Sequence, residues 1–178
     1  MSNDLWSTPP EVFHALDLEF CFGFDVCAEY ETAKCPDYWT IEDDALSMSW
    51  AKDALSRIPG AGLIELGAIW CNPPYSNITP WVEKAIEAQA KGRMTVMLVM
   101  CDPSVKWFSL AQKYASEIRF ITNGRIAFLK NGVPQKGNNK GSVIFVFDPH
   151  RICGGHVSFI ERDTLLAKGA IDNKEQAA

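Results

Sequence analysis

No apolar run in this sequence approaches the roughly 20 residues that a membrane-spanning helix requires. The longest, Met94 to Cys101, suits a buried strand. Met1-Ser2-Asn3-Asp4 lacks the basic start and apolar stretch of a leader peptide, so a cytoplasmic protein with no membrane partner is expected. The six cysteines, at 21, 27, 35, 71, 101 and 153, form no CxxC and have no partnering histidine spacing. That argues against a zinc framework, and no metal is expected. The thiols read as free, most of them small core residues in a reducing compartment. His14, His150 and His156 have no visible nucleophile beside them and read as surface or core histidines. Glycine is absent between Gly23 and Gly60, so no GxGxxG loop is available to bring backbone close to a nucleotide. Net basic charge is also lacking, since 17 Lys and Arg face 22 Asp and Glu. There is no internal repeat and no long low-complexity tract.

What is present is one ordinary domain. The chain has 178 residues, 47% of them hydrophobic and 22% charged, which is neither disordered nor fibrous. A single domain over residues 1–167 is expected, without a large target-recognition domain, followed by a polar flexible tail over 168–178. The positive charge is clustered: from Arg119 to Arg151 there are six basic residues against one acid, Asp148. One such face is enough to attract a polyanion, although an ordinary solvated loop would carry the same residues. The stretch Asn131 to Gly141 holds three Gly, three Asn and two Lys and reads as a mobile surface loop.

The order of elements points to an α/β sheet. Thr8 followed by Pro9 and Pro10 starts a helix, with the threonine hydroxyl as cap and proline where no amide donor is needed. Val12, Phe13, Leu16 and Phe20 continue it at helical spacing. Phe22 to Ala28 and Ala68 to Cys71 read as short apolar strands. A second helix opens at Thr79-Pro80 and ends at Gly92, with Trp81, Ala85 and Ile86 inward. Met94 to Cys101 is apolar throughout, as a strand covered on both faces should be. Pro103 to Glu117 repeats a helix, with Trp107, Leu110, Ala111 and Tyr114 inside. Ile118 to Thr122 and Ser142 to Phe147 are strands paired around the basic loop. Alternating strands and helices predict an open sheet with helices on both faces, and ligands then bind beyond the carboxyl ends of its strands.

Asn72-Pro73-Pro74-Tyr75 stands at such an end. Two prolines fix the backbone and remove two amide donors. An acceptor cluster remains, the Asn72 side-chain oxygen and the Pro73 carbonyl, with the Tyr75 ring beside it. A planar amine conjugated to a ring fits there. Its lone pair is delocalised, and two acceptors holding its hydrogens favour the pyramidal, nucleophilic nitrogen, stabilising developing charge with preorganised dipoles. Tyr75 can stack on a base taken out of its duplex. A rigid Pro-Pro turn capped by asparagine is the structural alternative. Cys71, beside the motif, reads as a small buried strand residue, since no basic neighbour would activate it.

With Trp6-Ser7-Thr8-Pro9-Pro10, Phe24-Asp25-Val26-Cys27-Ala28, Ala33-Lys34-Cys35, Tyr38, Asp43-Asp44-Ala45-Leu46, Trp50, Arg119-Phe120 and Gly141 to Phe145, the motif resembles the phage-encoded DNA N6-adenine methyltransferase (Dam) family over most of residues 5–147. NPPY alone also occurs in methyltransferases of protein glutamine or RNA guanine; its combination with WSTPP and AKC is much narrower. The resemblance implies a class I, Rossmann-like methyltransferase fold whose sheet ends in an antiparallel hairpin. It also implies S-adenosylmethionine as methyl donor and double-stranded DNA with a flipped adenine as substrate, in a bacterial host. It carries Asn72, Pro73, Pro74 and Tyr75 over as catalytic. Asp25, Ala28 and Asp44 become donor contacts, and Trp6, Thr8 and Pro9 line the donor's methionine side. In place of a glycine loop, Cys27-Ala28-Glu29 forms the first turn. Arg125, Lys130, Lys136, Asn139 and Lys140 are the candidate DNA contacts, although Asn138-Asn139-Lys140 could be only a turn. Two other readings remain: methyl transfer to another planar amine, in RNA or on a protein glutamine, and a degenerate module that binds DNA without chemistry.

Overall fold

The protein was analysed as a computed structural model that describes residues 6–54, 67–135, 138–151 and 155–175. Lys136 and Cys153 lie outside the described residues.

Among the described residues, eight strands and four α-helices follow in the order α1 (Pro10–Phe20), β1 (Phe22–Asp25), β2 (Ala68–Cys71), α2 (Thr79–Ala90), β3 (Thr95–Met100), α3 (Lys106–Tyr114), β4 (Glu117–Thr122), β5 (Leu129–Lys130), β6 (Val133–Pro134), β7 (Ser142–Phe147), β8 (His156–Glu161) and α4 (Arg162–Glu175). Six strands form one sheet in the order β1-β2-β3-β7-β4-β8; β5 and β6 form a separate hairpin. Every pairing in the large sheet is parallel except those of β7, which runs against both β3 and β4.

The alternation of side chains along the strands divides the core. Ile69, Cys71, Met97, Val99, Val143 and Phe145 face one side, covered by α2 and α3. Ala68, Trp70, Val96, Leu98, Ile144 and Val146 face the other, covered by α1 and α4. The product is a mixed α/β sandwich with helices on both faces, as the continuous apolar strands require.

Three expectations need correction. The β4/β7 pair is antiparallel as expected, but it is interior, because β8 takes the outer side of β4. The tail does not begin at Lys168: α4 runs through to Glu175, and Gly169 is buried so closely on α1 that a Cβ there would stand 1.8 Å from the Glu11 carbonyl oxygen. The third helix is shorter than expected and leaves Tyr114 exposed.

The reversal of β7 positions the site. A strand antiparallel to β4 starts at the end where β4 finishes, so the connection between them leaves and returns at the carboxyl rim, and its Phe128 packs against Tyr75. Its hairpin turns at Asn131-Gly132, with φ of 53° and 75°, the pair of left-handed residues that a two-residue type I′ turn requires.

Candidate active site

A cavity of about 410 Å³ opens at the carboxyl ends of β1 and β2, within the size range of small-ligand sites. Three walls contribute: the N-terminal segment Trp6-Ser7-Thr8, the turn after β1, and the NPPY segment with the start of α2. A fourth side is closed by Thr40 to Leu46, where Asp44 lies in the left-handed region at φ 49° and ends a short 3₁₀ turn.

The N-terminal wall is held by a neighbour far along the chain. Ser7 N–H donates to the Leu129 carbonyl at 2.8 Å, and Leu129 N–H returns the bond at 2.9 Å. Pro9, not Thr8, occupies the N-cap of α1, and no side chain caps that helix. The Thr8 hydroxyl is therefore released from the expected capping role. Thr8 is 1% exposed, its Oγ1 makes no hydrogen bond, and the residue lines the cavity.

Asp25 closes β1. It is 2% exposed, and its Oδ1 and Oδ2 accept from the backbone N–H of Cys27 and Lys34, each at 3.1 Å. Burial dominates those two bonds and pushes its carboxyl up to about 6. The turn that replaces a glycine loop keeps its amides for itself. Val26 N–H donates to Trp70 O, Ala28 N–H to Trp39 O and Glu29 N–H to Thr32 Oγ1.

Asn72 lines the cavity, and its Oδ1 is buried without a hydrogen-bond partner. Buried acceptors in native proteins are nearly always satisfied, so an orphan on a cavity-lining residue points to a ligand donor. Pro73 is buried, and Pro74 faces the cavity. Tyr75 is half-buried and does not line the cavity. Its ring stands edge-on to Phe128, and its hydroxyl is buried without a partner; burial raises the phenol above its usual range. Burial likewise pushes the Cys71 thiol up, away from any nucleophilic role.

Residues 1–171 match the DNA N-6-adenine-methyltransferase (Dam) family. The chain belongs to the Dam family. It is 33% identical over 174 residues to the DNA N-6-adenine-methyltransferase of Haemophilus phage HP1 (strain HP1c1), an alignment covering 94% of this chain and 92% of that protein. It is 33% identical over 160 residues to the DNA N-6-adenine-methyltransferase of Escherichia phage T1, covering 80% of this chain but 62% of that protein. A putative methyltransferase of Escherichia coli (strain K12), YfdM, is 36% identical over 79 residues, 44% of this chain and 74% of that protein.

In this Dam-family chain the cavity gathers Trp6, Thr8, Asp25, Ala28 and Asp44 of the expected donor contacts, together with Asn72 and Pro74. Pro9 does not line it, but stands at the helix start behind Thr8. Among the candidate DNA contacts, exposed Arg125 donates from Nη1 to the Asn138 carbonyl at 3.0 Å. Lys130 sits on the hairpin, and Asn139 is exposed. Lys140 is engaged by Asp102, whose carboxyl is held down to about 2 by Lys140 and Ser104. Lys34, Asn77 and Trp81 also line the Dam cavity without having been singled out as site residues. Lys34 stands in the Ala33-Lys34-Cys35 segment of the family resemblance, Trp81 reads from the sequence as an inward-facing helix residue, and nothing in the sequence marks Asn77. Among the described residues no cluster of His, Cys, Asp or Glu could hold a metal ion, and no helix is long and apolar enough to cross a membrane.

Proposed function

We propose that this single domain, without a separate target-recognition domain, transfers a methyl group from S-adenosylmethionine to the N6 amine of an adenine flipped out of duplex DNA, using the cavity beside Asn72. Enzyme class follows from family membership: Dam proteins are DNA adenine-N6 methyltransferases. The mostly parallel sheet flanked by helices, with its cavity at the carboxyl ends, supports a class I methyltransferase fold. The phage relatives support action in the cytoplasm of a bacterial host.

The single observation that carries the reading is the orphaned Asn72 oxygen at the cavity wall. It accepts one hydrogen of the incoming amine, and the Pro73 carbonyl accepts the other. The nitrogen lone pair is thereby drawn out of conjugation with the ring, and positive charge developing on N6 meets two fixed dipoles. The bound donor supplies an electrophilic methyl carbon on a cationic sulfur. The protein's residues fit such a group, for the cavity presents an unpartnered hydroxyl at Thr8 and carboxylates at Asp25 and Asp44. Tyr75 stacks on the flipped base through the part of its ring that is not covered. Arg125, Lys130, Lys136, Asn139 and Lys140 contact the DNA. The chemistry calls for no metal.

The test is incubation with labelled S-adenosylmethionine and unmethylated duplex DNA, digestion to nucleosides, and a search for N6-methyldeoxyadenosine. The expected product disappears in Asn72→Ala. Absence of product with donor binding intact would redirect the reading to RNA or protein amines; loss of both would leave a DNA-binding module.

A further inference from the structure

The cavity presents two opposite charges that do not close on each other. Lys34 lines it, half-buried, and among the described residues no carboxylate forms an ion pair with its ammonium. The charges that act on it are Asp25 and Glu11, and desolvation outweighs both, lowering its pKa. Its place is fixed from two sides. Lys34 N–H donates to Asp25 Oδ2, and the next residue, Cys35, is buried against the apolar face of α1. Glu11 lies in the first turn of α1, so Lys34 stands near the helix start that Thr8 precedes.

A desolvated ammonium, a buried carboxylate and a buried hydroxyl without a partner are costly unless something completes them. Backbone amides cannot serve a ligand here, because those from Asp25 to Glu29 all have acceptors within the protein. Recognition at this end of the cavity therefore falls to side chains. A ligand that meets an ammonium, a hydroxyl and a carboxylate in one cavity is a zwitterionic α-amino acid. We infer that Lys34 and Thr8 hold the α-carboxylate of the methyl donor while Asp25 faces its ammonium, which makes Lys34 the residue that selects a donor with an intact amino-acid end. This inference rests on the reading that the cavity binds S-adenosylmethionine.

The experiment is calorimetric binding of two probes to the purified protein without DNA. S-adenosylhomocysteine carries the amino-acid end; 5′-methylthioadenosine carries the same nucleoside and thioether without it. Lys34→Met is expected to weaken S-adenosylhomocysteine roughly 10- to 100-fold, the usual range for a hydrogen bond to a charged group, while 5′-methylthioadenosine changes less than about threefold. Thr8→Val shows the same selectivity with a smaller loss, and Lys34→Arg recovers part of the affinity. Retained 5′-methylthioadenosine binding shows that the variant pocket is folded. Equal loss for both probes, no loss for either, or wild-type protein that binds the two equally well overturns the inference and leaves the donor reading intact. Wild-type protein that binds neither overturns both.

Discussion

Tyr75 and Phe128 meet edge to face, their ring centroids 6.0 Å apart and their planes at 84°. Phe128 is itself 2% exposed, so Tyr75 leans on an immobile partner. The geometry leaves the tyrosine hydroxyl buried and unpaired. Tyr75→Phe is therefore expected to raise stability by about 1 kcal/mol, since it removes an unsatisfied polar group, and to keep methyl transfer. Tyr75→Ala should weaken productive base binding by roughly 1–3 kcal/mol through lost stacking. Urea unfolding and single-turnover methylation of the two variants check both halves.

On the proposed reading Asn72→Ala removes one of the two acceptors that hold the amine. Loss of a single preorganised group of this kind costs roughly 100- to 1,000-fold in the chemical step. Single-turnover rates should fall by that amount while S-adenosylhomocysteine affinity stays within about threefold. An equal fall in both would mean that Asn72 shapes the pocket instead of holding the amine.

Asp25 gives a pH signature of defined sign. Its carboxyl titrates at about 6 when folded against an ordinary 3.8, so between those values the folded protein holds a proton that the unfolded chain has released. Stability attributable to this group is greatest below pH 3.8 and falls as pH rises toward 6, by about 3 kcal/mol in total at about 1.4 kcal/mol per pH unit. Subtracting the unfolding free energy of Asp25→Asn from that of the parent between pH 4 and pH 7 isolates the slope. A flat difference would show that the carboxyl is not desolvated.

Gly169 is the closest approach of α4 to α1. Alanine is the better helix former by about 1 kcal/mol, yet Gly169→Ala should destabilise by roughly 1–3 kcal/mol, as overpacking does. A lowered urea midpoint is expected, and a raised one would show that the helices can separate at no cost.

The basic residues of the rim should differ in their salt dependence. Each phosphate contact removed lowers the slope of log K against log salt by about 0.9. Lys130→Ala should give that change in a DNA titration. Lys140→Ala should give less, because Asp102 already neutralises Lys140.

The sequence shows much of this through residues whose chemistry is local. Asn72-Pro73-Pro74 ends β2 by proline alone, and β7 coincides with the apolar run Ser142 to Phe147. Thr8 has the residue type of a helix cap at the right distance from α1, but Pro9 takes the cap position and the Thr8 hydroxyl stays without a partner. Strand β8 is hidden for a different reason. Val157 and Phe159 alternate correctly but remain exposed at a sheet edge, so no burial reinforces the pattern. The helix α4 contains Gly169, a poor helix residue in isolation, and its presence makes sense only beside Glu11. Lys34 was visible within its family segment, but the consumption of every amide in the adjacent turn is a tertiary fact.

The reciprocal bonds between Ser7 and Leu129 join the N-terminal wall of the cavity to the root of the hairpin that carries Lys130. On the proposed reading, in which the cavity takes the methyl donor and the hairpin meets DNA, the two ligands are expected to be heterotropic effectors of one another. Linkage fixes the symmetry of that effect: the factor by which saturating donor tightens DNA must equal the factor by which saturating DNA tightens donor. Leu129→Pro, which deletes the N–H of one of the two bonds, should draw both factors toward one together.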